Sequence, residues 1–305
     1  MNKRIILAGG SGFIGSALAK GFVARGHQVV VLTRTPRART DGVQEAEWDG
    51  FHLGEWIQFL DGAETVINLT GKSINCPHTP ENMRELVSSR VNSVHVVAAA
   101  CNHVRTPPRT WVQAGAIGFY GDTADRICDE ASPAGSDSLA EICRNWETAF
   151  DTAETKKTRK VTLRIGVVLG RQGGALPVLT RLTKWFLGGA AGNGKQFVSW
   201  IHLSDLVAMF VAAVENDKIA GVYNAVAPAA ATNAALMREM RRALHRPWSP
   251  PVPAFAIKLG AKLMGSEPSL VLVSQRVAPI RFVGAGFRFQ FPKLAPALDD
   301  LCQKI

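Results

Sequence analysis

Residues 5–18, ILAGGSGFIGSALA, decide how the rest of this chain is read. Apolar residues lead into Gly9-Gly10-Ser11-Gly12-Phe13-Ile14-Gly15, and an amphipathic run follows at once. That order is a strand, a glycine turn and a helix N-terminus. Backbone N–H groups at such a turn face outward with the positive end of a helix behind them, so they hold a pyrophosphate. Gly9 allows the tight turn, Gly12 lets the backbone approach phosphate, and Gly15 lets the helix pack closely. The spacing is G-x-x-G-x-x-G, one step from the G-x-G-x-x-G dinucleotide fingerprint, and its place between strand and helix gives it weight. The predicted cradle is Gly9, Ser11, Gly12, Phe13, Ile14 and Gly15.

Working outward, a helix is expected from Phe13 to Ala24, closed by Gly26. Gln28–Thr33 is β-branched and apolar, a buried parallel strand. Its end discriminates between cofactors: an acid there accepts the ribose hydroxyls of NAD, whereas an arginine suits the 2′-phosphate of NADP. This chain has Thr33-Arg34, then Arg37 and Arg39, and no acid before Asp41, which favours NADP(H). Glu64–Gly71 is a further strand whose end, Asn68, Leu69, Thr70 and Gly71, falls where a cofactor lies against the sheet's carboxyl edge. A helix over Pro80–Asn102 carries Arg90. A strand from Thr110 to Ala114 runs into Gly115, and Arg90 and Gly115 complete the expected cofactor-binding residues. A helix at Ser138–Glu154 and a strand at Val161–Ile165 follow. Strands alternating with helices predict an α/β fold, a doubly wound parallel sheet.

After Gly170 the texture changes to glycine pairs and a basic apolar helix, Pro177–Leu187. Gly189 to Lys195 satisfies G-x-x-x-x-G-K, yet position 196 is Gln rather than Ser or Thr, and no strand–helix frame surrounds it; a P-loop is rejected. Ser204 reads as the N-cap of a helix from Asp205 to Asn216, and Gly221–Val226 as one more strand. The proline-rich tail holds two helical stretches and an aromatic run, Phe282 to Phe291. The expected division is a nucleotide-binding domain (1–170 and 199–227) and a smaller α+β substrate-side lobe closing over the cofactor edge (171–198 and 228–305).

The 305 residues are 47% hydrophobic and 20% charged, ordinary for a globular chain with a sizeable core, and the net charge of +10 suits nucleic acid, an anionic surface or an anionic ligand. The basic residues are mostly spread along the chain and are densest at Arg238, Arg241, Arg242, His245 and Arg246, and at Lys156, Lys157, Arg159 and Lys160. No nucleic-acid module accompanies them, so no nucleic-acid partner is expected. Cys76, Cys101, Cys128, Cys143 and Cys302 form an odd set without C-x-x-C spacing, which argues against a disulfide framework or a thiolate metal site. The apolar N-terminal run is too short for a signal segment, and no run approaches membrane-spanning length. A cytoplasmic, reducing compartment is expected, with a small-molecule substrate, no membrane partner, and a monomer or homodimer.

The chain resembles the extended short-chain dehydrogenases/reductases, and among them the atypical "epimerase family" proteins, some of which carry the label cell-division inhibitor. The matching stretches include GGSGFIG (9–15), LTR (32–34), INLTG (67–71), IGFYGD (117–122), RIGVVLG (164–170), GGAAGNGKQFVSWIHLSDL (188–206) and GFRFQFP (286–292). The resemblance implies a Rossmann lobe and a substrate between two lobes. It also implies chemistry resting on a Ser and a Tyr-x-x-x-Lys, and these are absent. Tyr120 and Tyr223 are each followed four residues on by alanine. Registering Glu147 on the glutamate that often follows the lysine puts Leu139 in place of the tyrosine and Cys143 in place of the lysine, with the serine near Ala114 or Gly115. Removing a general acid/base forfeits about 10²–10⁴ in rate. Candidate substitutes are Cys143, as a thiol at the nicotinamide or as inert packing; Tyr120, as a proton donor or an aromatic wall; and His202, as a base or as the residue fixing a turn. Arg164 and Lys195 are candidates to clamp an anionic substrate, or else meet solvent or cofactor phosphate. The expected function is NADP(H)-dependent epimerase or reductase chemistry on a small, sugar-like or anionic molecule. The alternative is a non-catalytic NADPH-responsive regulator.

Overall fold

A computed structural model describes residues 2–155, 157–263, 265 and 267–303; Lys156 lies outside them. Seven strands form one parallel sheet. Chain order supplies β1 (Arg4–Ala8), β2 (Gln28–Thr33), β3 (Val43–Glu47), β4 (Thr65–Asn68) and β5 (Thr110–Ala116), then strands Arg159–Ile165 and Gly221–Ala225. Across the sheet the order is β3-β2-β1-β4-β5, then Arg159–Ile165, then Gly221–Ala225. Ala8 therefore pairs with Leu32 on one side and Asn68 on the other. The strand order reverses at β1, where a crevice opens beyond the carboxyl ends.

Period-two alternation divides the core between the faces. Ile5, Leu7, Val29 and Val31 meet α1 (Phe13–Val23) and α5 (Leu203–Glu215) through Leu18, Phe22, Met209 and Phe210. Ile6, Val30, Val66 and Trp111 meet α2 (Pro80–His103) and α3 (Ser138–Thr152) through Val94, Val97, Trp146 and Phe150. Helix starts follow local chemistry. Thr79 accepts from the Asn82 amide with Pro80 at the first position of α2, and Asp137 accepts from the Ala140 amide at α3.

At α5 the structure corrects the sequence reading. The cap is His202, whose Nδ1 accepts from the Ser204 amide at 3.1 Å, and the helix begins at Leu203. Ser204 lies inside the first turn. Strand β3 was not expected; its VQEAE carries too much polar surface for an apolar-run criterion, as suits a sheet edge.

Beyond the main sheet, Val167–Gly170 pairs in parallel with Trp200–His202 and antiparallel with Gly173–Gly174. Helix α4 (Leu176–Lys184), α6 (Asn233–Ala243) and the helix Leu294–Cys302 gather a third core around Leu176, Trp200, Leu236, Met240 and Leu298. The Gly189–Lys195 stretch is a packed loop. A Cβ on Gly189 would stand 1.7 Å from the Pro250 carbonyl oxygen, and the Ala191 amide donates to Asn233. Phe282, Phe287 and Phe289 pack on the main core, with the Phe282 ring 4.8 Å from that of Tyr223.

The basic clusters serve the fold. Lys160 Nζ donates to the Phe150 carbonyl at the end of α3, Arg159 to the Ala213 and Val214 carbonyls at the end of α5, and Arg242 pairs with Glu239 and Asp299. Among the described residues no helix is long and apolar enough to cross a membrane, no cluster of His, Cys, Asp and Glu is placed to hold a metal ion, and all five cysteines are free.

Candidate functional site

The site begins at the turn that joins β1 to α1. Gly9 sits at φ +70°, a conformation most side chains avoid, and a Cβ there would press on Thr70 Oγ1 at 2.8 Å. The Gly9 and Gly10 amides are consumed by the Leu32 and Leu7 carbonyls, and the first intrahelical acceptor, Gly12 O, takes the Ser16 amide. Among the described residues no acceptor engages the amides of Ser11, Gly12, Phe13, Ile14 or Gly15. Nothing lies within 4 Å of a Cβ built on Gly12, and no acid occupies the first turn of α1. Orphan donors at a positive helix end, open on one side, make an anion cradle. Gly15 answers a different need. A Cβ there would meet the Gly10 backbone at 2.3–2.6 Å, so its bareness lets helix and turn touch.

The cradle opens into a cleft of about 730 Å³ at the carboxyl edge of the sheet. Gly9, Ser11, Gly12, Thr33, Arg34, Leu69, Thr70 and Gly71 line it. Arg34 is exposed and forms no hydrogen bond or ion pair among the described residues, whereas Arg39 is held by Asp41 and Glu45. The guanidinium at the end of β2 is thus free among the described residues, whereas that of Arg39 further along the loop is spent. Among the described residues Thr70 Oγ1 is buried beside Gly9 without a hydrogen-bond partner.

Other predicted positions shape the cleft from behind. Asn68 is wholly buried; its Oδ1 accepts from the Thr70 amide at 3.0 Å, and its Nδ2 donates to Ser93 Oγ and Gln113 Oε1. Phe13 lies against the Gly170–Gly174 hairpin, where a Cβ on Gly170 or Gly173 would stand 2.5–2.6 Å from its ring. Ile14 packs on the main core. Gly115 lies within β5, where a Cβ would come within 3.3 Å of Glu147 Oε1. The Arg90 side chain lies against Gly71, which lines the cleft, without lining it itself.

Sequence reasoning missed the polar rim. Asp49 lines the cleft and accepts from the Phe51 and His52 amides and the His52 ring; those hydrogen bonds, the histidine's foremost, hold its carboxyl down at about 2. Lys72 and Ser89 line the opposite wall, the Lys72 amide donating to Ser89 Oγ at 3.0 Å. An Asp two residues after an unrecognised strand offered no signal.

The three catalytic candidates stand apart from the cleft lining. Tyr120 is fully buried, its hydroxyl donating to Asn224 Oδ1 at 2.7 Å and accepting from Arg164 Nη1 at 2.8 Å; burial pushes its pKa up to about 12. Arg164 forms a bidentate pair with buried Glu147 at 2.9 and 2.7 Å, its Cζ 3.5 Å from the centre of the Phe119 ring. Its charge is therefore paired within the fold by Glu147 and its Nη1 is held by Tyr120. Cys143 is buried on α3, and burial drives its thiol up to about 12, so it remains protonated. His202 caps α5 and lies over the Phe291 ring at 4.0 Å. Lys195 is exposed on its packed loop. Leu139 and Cys143 face the turn after β5, where a Cβ on Gly118 would meet Cys143 Sγ at 3.4 Å and Leu139 Cβ at 3.7 Å. No side chain at either position is a proton donor of ordinary acidity.

Comparison with known proteins agrees with this geometry. Residues 5–225 match the family described as "NAD dependent epimerase/dehydratase family", and residues 252–301 match a domain of unknown function, DUF1731. The chain is 34% identical over 304 residues to the Arabidopsis thaliana protein "Epimerase family protein SDR39U1 homolog, chloroplastic", covering 98% of this chain and 86% of that one. The crystal structure of human epimerase family protein SDR39U1 (isoform 2) with NADPH superposes with a TM-score of 0.89 at 32% identity, covering 99% of this chain and 100% of that one. A Corynebacterium glutamicum structure described as a nucleoside-diphosphate sugar epimerase gives a TM-score of 0.79 at 30% identity, covering 99% of this chain and 59% of that one.

Proposed function

The chain belongs to the NAD dependent epimerase/dehydratase family, and from that premise we propose that it binds NADP(H) across the carboxyl edge of its sheet. The observation that carries this reading is the pairing of an open amide cradle at residues 11–15 with an unengaged Arg34 at the end of β2. The cradle would hold the pyrophosphate and Arg34 the 2′-phosphate, through charge-assisted bonds that a lysine's point charge or an acid would not reproduce. The human relative's crystallisation with NADPH supports the assignment. When bound, the nicotinamide supplies hydride donation or acceptance.

The substrate in this reading is a small anionic or sugar-like molecule, in keeping with the sugar-nucleotide epimerase among the structural neighbours. It would sit between the sheet edge and the lobe formed by 171–198 and 228–305, apart from the aromatic segment that packs on the main core. Leu139 and Cys143 cannot exchange a proton with it as tyrosine and lysine would. That gap favours a second reading, a non-catalytic protein whose cofactor occupancy sets a partner surface. A substrate screen with Cys143→Ala and Tyr120→Phe separates the two: turnover by the unaltered chain supports the enzyme, and binding without any turnover supports the regulator.

The cofactor assignment is tested by fluorescence titration of NADPH and NADH. Arg34→Asp should weaken NADPH by roughly 10- to 100-fold and leave NADH within about twofold. An unchanged ratio overturns the 2′-phosphate assignment.

A further inference from the structure

Two long stretches of the chain hold no carboxylate, one between Glu154 and Asp205 and the other between Glu239 and Glu267. The fold joins them far from the cofactor cleft. Ala191 and Val252 form a parallel bridge, Arg241 donates to the Gly188 carbonyl, and the Arg246 Cζ lies 5.4 Å from the centre of the Phe186 ring. Trp185, Phe186 and Leu187 at the end of α4 therefore stand beside Trp248 and the start of α7 (Ala254–Leu263). Large apolar side chains protrude here: Trp185 is 74% exposed and Trp248 and Phe255 are 73% exposed, with Phe186, Leu187 and Leu259 each more than half exposed. On α7, Phe255, Lys258, Leu259 and Lys262 recur at helical spacing and share one face. Arg181, Lys184, Arg246, Lys258 and Lys262 surround the apolar residues, and among the described residues none of the five forms an ion pair.

The backbone at Phe186 adds an independent sign. Helix α4 ends with the Phe186 amide on the Thr183 carbonyl and the Leu187 amide on the Leu182 carbonyl, a turn that places Phe186 at φ +61°. Glycine is the usual occupant of that position, and a bulky side chain there is strained. The fold gains little from an aromatic ring that is strained and more than half exposed, so the ring answers to something outside the chain. Charge says what. A two-fold contact between copies would set these cations against themselves. Three of the five are lysines, which protein interfaces avoid and membrane-surface segments favour. Trp, Phe and Leu that protrude within a ring of Lys and Arg match the headgroup boundary of an anionic bilayer. We propose that this face, formed by the end of α4, Trp248 and α7, lies against an anionic phospholipid surface, the aromatic side chains entering the headgroup layer and the cations meeting lipid phosphates. The expectation of no membrane partner rested on the length of apolar runs, which bears on spanning a bilayer and not on lying upon one.

Flotation of the full chain checks this with two kinds of vesicle, phosphatidylcholine alone and phosphatidylcholine carrying about one-third phosphatidylglycerol. The chain should float with the anionic vesicles at low salt and stay behind with the neutral ones, and its tryptophan emission should shift to the blue on binding. The double variant Lys258→Gln/Lys262→Gln should weaken binding by roughly 10- to 30-fold. Trp185→Ser should weaken it by roughly tenfold and reduce the blue shift. Phe186→Gly relaxes the backbone, so its melting temperature should hold or rise while vesicle affinity falls; a lower melting temperature with unchanged affinity would mean that the ring serves the fold. Equal flotation on both vesicles, no flotation, or flotation that Trp185→Ser and Phe186→Gly leave untouched overturns the proposal. A dimer that Trp185→Ser splits, or retention on polyglutamate without flotation, assigns the face to a second copy or to an acidic protein and overturns it equally.

Discussion

At the scale of single residues, three glycines of one turn do three different jobs. Gly9 is required by its left-handed backbone, Gly15 by contact with the Gly10 backbone, and Gly12 by the open space in front of it. The distinction is measurable. Gly15→Ala drives a Cβ into backbone that cannot rotate away, so thermal stability should fall by about 1–3 kcal/mol. Gly12→Val meets no neighbour, so the melting temperature should hold while NADPH affinity falls by an order of magnitude or more; equal melting losses in both variants would refute the division. Much of this was written in the residue order, since Gly9, Gly12 and Gly15 flank a strand and a helix start that pattern alone locates. Arg34 was equally legible, because it follows an apolar strand directly. Arg164 was visible as a name and not as one half of a buried pair with Glu147. Whether an arginine finds a carboxylate depends on what α3 brings beside it, and spacing along the chain is silent about that. The occupied state of Tyr120 was hidden for the same reason, as Asn224 and Arg164 reach it from two other strands.

Among the elements, those with strong periodicity were recovered nearly residue for residue. The strand Gln28–Thr33 matches its expected bounds, and α2 ends one residue beyond its own. β3 escaped because an edge strand buries little and carries Gln44, Glu45 and Glu47 where a central strand carries valine. The start of α5 shows a cap preference misapplied. Serine is the commoner N-cap, but here the histidine two residues earlier turns its ring nitrogen to the helix amide. His202→Ala should therefore cost about 1 kcal/mol of stability. His202→Asn, which can still accept from the Ser204 amide, should recover most of it in chemical denaturation. Similar melts for the two variants would show that the ring acts through its packing on Phe291 instead.

At the scale of the whole molecule, one polar seam binds parts distant in sequence. Glu147 on α3 pairs with Arg164 in strand Arg159–Ile165, Arg164 with Tyr120 in the turn after β5, and Tyr120 with Asn224 in strand Gly221–Ala225. Asn224 in turn donates to the Ala278 carbonyl in the tail. Removing one partner of a buried pair leaves the other uncompensated, so Arg164→Met should destabilise the fold by about 3–5 kcal/mol. The double variant Glu147→Met/Arg164→Met should recover a large share of that loss, and failure to recover any would show that Tyr120 and Asn224 depend on the guanidinium itself.

The packing of Phe282 onto Tyr223 has a consequence for synthesis. Strand Gly221–Ala225 leaves the ribosome before the aromatic segment that covers it, and the intervening stretch must be translated first. During that interval the nascent chain presents an unfinished sheet margin, so shielding by chaperones is most needed until residues 282–289 have emerged and packed.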